Sequence, residues 1–158
     1  MNSNTSLRTF CGLTLVALAA AAFVTSARAG EFFEKDGAAL RGYDAVAYVK
    51  DGKAVKGMAE HSTEFKGSTF RFSSKANLDA FAAEPSSFAP QYGGYCAFGM
   101  AGGYKAATDP AAFTVRDGKL YLNYNRDVQK LWRADVPGFV VAADKRWPVV
   151  STQQKVIE

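Results

Sequence analysis

The sequence predicts a small single domain of α+β class, in which β-hairpins pack with two or three short helices. Two observations carry this. Residues 65–72 and 113–124 alternate apolar and polar side chains on either side of a glycine-containing turn, the period of half-buried strands. Residues 75–83 and 126–134 instead place apolar side chains three and four apart, behind residues that cap helices. No repeat and no low-complexity linker divides the chain of 158 residues, a length that suits one core.

The elements follow in order. Arg8 precedes a run over 10–24 that is apolar or small apart from Thr14, and Ala27-Arg28-Ala29 comes after it. A positive start, an apolar core and an A-x-A site make a secretory signal peptide over 1–29. The apolar core is shorter than the ~20 residues a membrane span needs. The mature protein, 30–158, is therefore expected to be periplasmic or secreted, with no membrane anchor left after cleavage. Phe65 to Phe72 reads as two strands around Lys66-Gly67, with Phe70 and Phe72 on one face. Ser74 caps a helix over 75–83 that presents Leu78, Phe81 and Ala82, and Pro85 ends it. Residues 88–105 are rich in glycine and proline, lack a period, and read as a loop. Asp117-Gly118 is the tight turn of a second hairpin, flanked by Phe113 and Val115 on one side and Leu120, Leu122 and Tyr124 on the other. Asn125 caps a helix over 126–134 with Val128, Leu131 and Trp132 on its apolar face. Pro137 interrupts, a last helix runs through Trp147, and the tail after Pro148 is expected to be loose.

Removing 1–29 takes away Arg8 and Arg28, so 17 of the 19 basic residues remain against 15 acidic ones. That balance gives no nucleic-acid footprint, which needs a clustered basic face. The same cleavage removes Cys11 and leaves Cys96 alone. A lone cysteine in an oxidising compartment forms no internal disulfide; it is a free thiol, a metal ligand or a buried small hydrophobe.

Longer stretches carry a resemblance. Gly42-Tyr43-Asp44-Ala45-Val46-Ala47-Tyr48, then Phe65-x-Gly67-x-x-Phe70-x-Phe72-Ser73-Ser74, then Pro90-Gln91-Tyr92-Gly93-Gly94-Tyr95-Cys96-Ala97, resemble the YHS domain. The Asp109 to Trp132 block, with its DGKLYLNY segment, resembles the exported members. The resemblance implies a treble-clef-like core with a C-terminal helical extension. Shorter members carry cysteines in a DPVC segment and an F-C-S-x-x-C segment, a set suited to soft or borderline cations. Here those cysteine positions hold Ala47, Ser73 and Asn77, so a zinc site on that pattern is not expected.

Three chemistries remain. Cys96, His61 and Met100, with Met58, are the soft or borderline ligands available for copper or zinc, provided they converge. A thiol chemistry would pair Cys96 with His61, the one histidine, and Asp44 or Asp109 as third member. A binding module would use Tyr92, Gly93, Gly94, Tyr95 and Cys96, with Asp44, because glycines allow close backbone approach and aromatic rings offer flat contact. Phosphate-loop, nucleophile-elbow, HExxH and paired CxxC motifs do not occur, so hydrolase and nucleotide-dependent readings lack a basis. The reading that needs fewest conditions is a non-catalytic protein that binds a small molecule or a metal ion around 92–100. Cys96, with apolar neighbours, is expected to be a protected thiol.

Overall fold

The computed structural model of the protein describes residues 31–158; the signal peptide read over 1–29 lies outside them. Phe32 and Phe33, adjacent in the chain, enter two different apolar clusters. Glu34–Lys35 (β1) and Ala38–Ala39 (β2) then pair antiparallel around Asp36-Gly37, both at positive φ. After a single 3-10 turn over Leu40–Gly42 comes Ala45–Asp51 (α1), capped by the Asp44 side chain at its start and by left-handed Gly52 at its end. The period did not mark α1, because Ala45-Val46-Ala47-Tyr48 is apolar throughout and wholly buried.

The first hairpin is Met58–Phe65 (β3) with Ser68–Phe72 (β4), turning through Lys66-Gly67 at φ 50° and 78°. Its register slips between Met58 and Ser62, a bulge that spans His61. Phe70 and Phe72 face inward together, as their spacing predicts. Lys75–Ala83 (α2) starts at the Ser74 cap and buries Phe81; Ala82 faces solvent. Pro85 opens a further short helix, Pro85–Phe88 (α3), since its fixed φ suits a first helical position.

Residues 88–105 are not an open loop. They form a 3-10 turn over Gln91–Gly94, the helix Ala97–Gly102 (α4), and Lys105–Ala106 (β5), and most of them are buried. The second hairpin, Phe113–Arg116 (β6) with Lys119–Leu122 (β7), turns through Asp117-Gly118 at φ 51° and 72°. Arg126–Ala134 (α5) begins at the Asn125 cap. Its inner face is Val128, Gln129 and Trp132, while Leu131, expected inside, is 54% exposed. Gln129 takes the inward place because its amide donates to the Phe113 carbonyl of β6. Pro137 opens Val136–Val150 (α6), with Asp135 accepting from Gly138 N at 3.0 Å. Pro148 lies in the last turn and removes only the bond to the Asp144 carbonyl.

The tail is tied down, contrary to expectation. Val156–Ile157 (β8) pairs parallel with β5, and Lys105 Nζ donates to the carbonyls of Ser151 and Gln153 at 2.8 Å each. The α+β class is as the sequence predicts, with more helices than its periods mark. Two clusters make the core. One gathers Val46, Tyr48, Phe70, Phe72, Phe81 and Leu122 from α1, the first hairpin, α2 and β7. The other gathers Tyr92, Tyr95, Met100, Tyr121, Trp132 and Ala143 under α4, α5 and α6. β7 joins them, with Leu120 and Leu122 in the first and Tyr121 in the second. No helix among the described residues is long and apolar enough to cross a membrane.

Candidate functional site

Asp44 is the best-connected polar group of the first half. Its carboxylate is 0% exposed and accepts from Val46 N, Ala47 N, Ser73 N, Ser73 Oγ and Asn77 Nδ2, at 2.6 to 3.0 Å. Burial alone would raise its pKa; the bonds from Asn77, Ser73 and the α1 amides outweigh that and hold it below the ordinary 3.8. The group thus ties the start of α1 to the end of β4 and the first turn of α2. It faces no solvent.

The segment 92–100 belongs to the second cluster through Tyr92, Tyr95, Ala97 and Met100. Tyr92 donates its hydroxyl to Asp144 Oδ1 at 2.8 Å, and Tyr95 lies under Lys105 Nζ at 4.7 Å from its ring centre. Burial first, then the Asp144 bond, pushes the Tyr92 phenol far above its ordinary range, so it is a fixed donor. The bare faces of the glycines serve the chain itself. A Cβ on Gly93 would meet the Glu31 carbonyl oxygen at 2.1 Å, and one on Gly94 would meet Pro90 and Leu40. Phe33 N donates to the Gly93 carbonyl at 2.7 Å, which fixes that approach.

Cys96 is 2% exposed and caps α4, its sulfur accepting from Gly99 N at 3.4 Å. Asn123 Nδ2 lies 4.0 Å away, and the Asn123 carbonyl oxygen Oδ1 is buried with no partner among the described residues. Met100, fully buried one turn on, belongs to the second cluster. His61 is half-buried on β3, a strand that packs on β4 and α2, whereas α4 packs on α5, α6 and β5. Met58 is 40% exposed at the start of the same strand. The structure therefore brings Cys96 and Met100 into one element and gives the sulfur two N–H neighbours, neither of them an imidazole. Among the described residues no three His, Cys, Asp or Glu side chains gather as a metal set.

An open cleft does lie along this segment. It measures about 180 Å³, and its walls include Tyr92 and Gly93 with Phe32, Phe65, Gln91 and Trp147. Lys66 and Glu31, paired at 2.9 Å, are also among its lining residues. Of the residues singled out for ligand binding, Tyr92 and Gly93 line it; Gly94, Tyr95, Cys96 and Asp44 do not.

Residues 46–92 match the sequence model of the YHS domain. The chain contains a YHS domain. No curated protein and no solved structure matches it. The YHS match takes in α1, the first hairpin, α2 and α3 and ends at Tyr92, so the cleft lies where the domain meets the C-terminal helices.

The cysteine positions of shorter YHS members can now be tested against geometry. Ala47, Ser73 and Asn77 do converge here, but on the Asp44 carboxylate, which their N–H and O–H groups satisfy. Alanine offers no ligand atom, and the Asp44 oxygens already accept five hydrogen bonds, which turns donors rather than lone pairs toward the site. A cation does not fit that pocket. The hub and the cleft contain residues that sequence reasoning missed: Ser73 and Asn77 as partners of Asp44, Asn123 beside Cys96, and Phe32, Lys66 and Trp147 in the cleft. Only Ser73 and Asn77 left a signal, as departures from the family pattern at two linked positions.

Proposed function

We propose that the protein is a binding module for a small molecule held in the cleft beside Tyr92 and Gly93. YHS domains are often associated with metal handling, copper in particular, which makes a binding role the common ground of the family. The observation that carries the small-molecule reading is the cleft itself. The side chains of Phe32, Phe65, Tyr92 and Trp147 stand along it, and the surface it presents is mostly polar, with an amide at Gln91 and a charge pair at Lys66–Glu31. At about 180 Å³ it is smaller than the roughly 300–1,000 Å³ of sites for drug-sized ligands, so the occupant is a small ring or short chain with one polar end. Export through the signal peptide over 1–29 would place this binding in the periplasm or outside the cell.

Trp147 reports on the cleft, and Trp132, the other tryptophan, is fully buried. In a Trp132→Phe background, benzoate, phenol and benzylamine are titrated against the fluorescence of Trp147. Saturable quenching by at least one probe is expected, and the matching saturable amide NMR shifts should vanish in Ser86→Trp, which fills the cleft from its exposed rim. No saturable response, or a response indifferent to Ser86→Trp, would remove this reading.

A soft cation at Cys96 is the second reading, favoured by Asn123, whose Nδ2 lies 4.0 Å from the sulfur and whose Oδ1 has no partner among the described residues, with Met100 one turn on. Copper or zinc would then be held by Cys96 and Met100; the notional third ligand, His61, lies on another element. Titration of Cu(I) and Zn(II) under reducing conditions tests it: one equivalent per chain, lost in Cys96→Ser, is required.

A further inference from the structure

The outer surface of α6 carries a second concavity, remote in character from the cleft. It is a groove of about 560 Å³ bounded by Val141, Ala142, Val149, Lys145 and Arg146, with Gly103 across from them. Val141 and Val149 are 72% and 69% exposed, an unusual cost for large apolar side chains two turns apart on one helix face. Val150, at 3% exposed, lies among the groove's buried lining. The charges are of one sign: Lys145 and Arg146 line the groove and no acidic residue does. Arg146 is anchored, donating through Nη1 to the Ala101 carbonyl at 2.6 Å, which leaves its other N–H groups free to face a ligand. Lys145 has no ion-pair partner among the described residues.

From this combination we infer that the groove binds a small amphiphilic anion, its head on Lys145 and Arg146 and its hydrocarbon tail over Val141, Ala142 and Val149. Charge complementarity selects an anion, since two cations with no local acid attract negative charge and repel positive. The volume falls within the range of sites that hold small molecules. Two exposed valines fall short of the roughly 800 Å² per partner that a stable dimer buries. They also lack the bulky aromatic and leucine-rich face of a helix that lies on a membrane. The occupant is therefore a free amphiphile such as a medium-chain carboxylate.

The probe is decanoate, below its micelle-forming concentration, titrated into the mature protein and followed by amide NMR shifts. Saturable shifts are expected at Gly103, Gly138 and along 141–153. Lys145→Glu and Val149→Asp, both at exposed positions, should each weaken decanoate at least tenfold, and decyltrimethylammonium should bind at least tenfold more weakly than decanoate. Ser86→Trp, which blocks the other cleft, should leave decanoate binding unchanged. Absence of saturable shifts, equal binding of the cationic amphiphile, or indifference to Lys145→Glu overturns the inference. So does an α6 face that responds only to protein concentration or only to anionic vesicles.

Discussion

A single buried carboxylate joins three elements, and its protonation state is coupled to the fold. Asp44 accepts five hydrogen bonds while fully buried, so replacing one acceptor oxygen by an amide would set donor against donor at Ser73 or Asn77. Asp44→Asn should destabilise the protein by about 2–4 kcal/mol, read from urea unfolding at neutral pH. The pH dependence has a definite sign. Because the folded carboxyl is held below its ordinary 3.8, its contribution is present above that value and lost as pH falls through the folded pKa. The wild type should therefore lose stability in acid more steeply than Asp44→Asn, and parallel acid profiles would contradict the role given to this residue. Cys96 belongs to the same scale. With 2% of its surface exposed and its sulfur receiving the Gly99 amide, it should label with a thiol reagent more than roughly tenfold slower in the native protein than in urea. Equal rates in the two states would show that the thiol is accessible.

Elements divide into those held by their own ends and those held by distant partners. The first kind includes α2 and α5, which start at Ser74 and Asn125 caps of 3.2 and 2.9 Å, and the two hairpins, whose turn residues take positive φ. Both devices act within a few residues and can be read from the sequence. The second kind includes β8, which pairs with β5 across about half a hundred residues and has no local signal of its own. Its bonds include Ala107 N to the Ile157 carbonyl at 2.8 Å, and Glu158 meets Lys35 at 3.3 Å. Deleting 154–158 should lower stability by about 1–2 kcal/mol through loss of the β5–β8 pairing, the surface ion pair adding little. A urea midpoint unchanged by the deletion would show that the strand only rests on the body.

At the scale of the whole molecule, the chain begins to pack directly after the expected cleavage site. Phe32 and Phe33 each enter a cluster, and Glu31 meets Gly93 with its carbonyl oxygen. The processed protein is expected to start at Gly30 and so to keep Glu31, Phe32 and Phe33. Intact-mass measurement of protein from periplasm or medium checks this, and a mass that includes 1–29 would overturn the assignment to an oxidising compartment. The two clusters share β7, so they should melt together: tryptophan fluorescence and far-ultraviolet circular dichroism are expected to give coincident transitions.

The sequence by itself determined the class, both hairpins, the helices over 75–83 and 126–134, and the YHS domain, because caps, tight turns and strand alternation are interactions between near neighbours. Of the residues it named for binding, Tyr92 and Gly93 line the cleft. Tertiary structure alone decided which side of each residue is used. Gln129 displaced Leu131 from the inner face of α5 because a carbonyl of β6 waits for its amide. Gly93, legible as freedom to approach a ligand, instead admits the backbone of Glu31. Asp44, read from the sequence as a binding residue or as the acid of a thiol site, became a hub because β4 and α2 deliver Ser73 and Asn77 to it. Such outcomes depend on atoms brought together from far along the chain, and spacing within a segment carries no record of them.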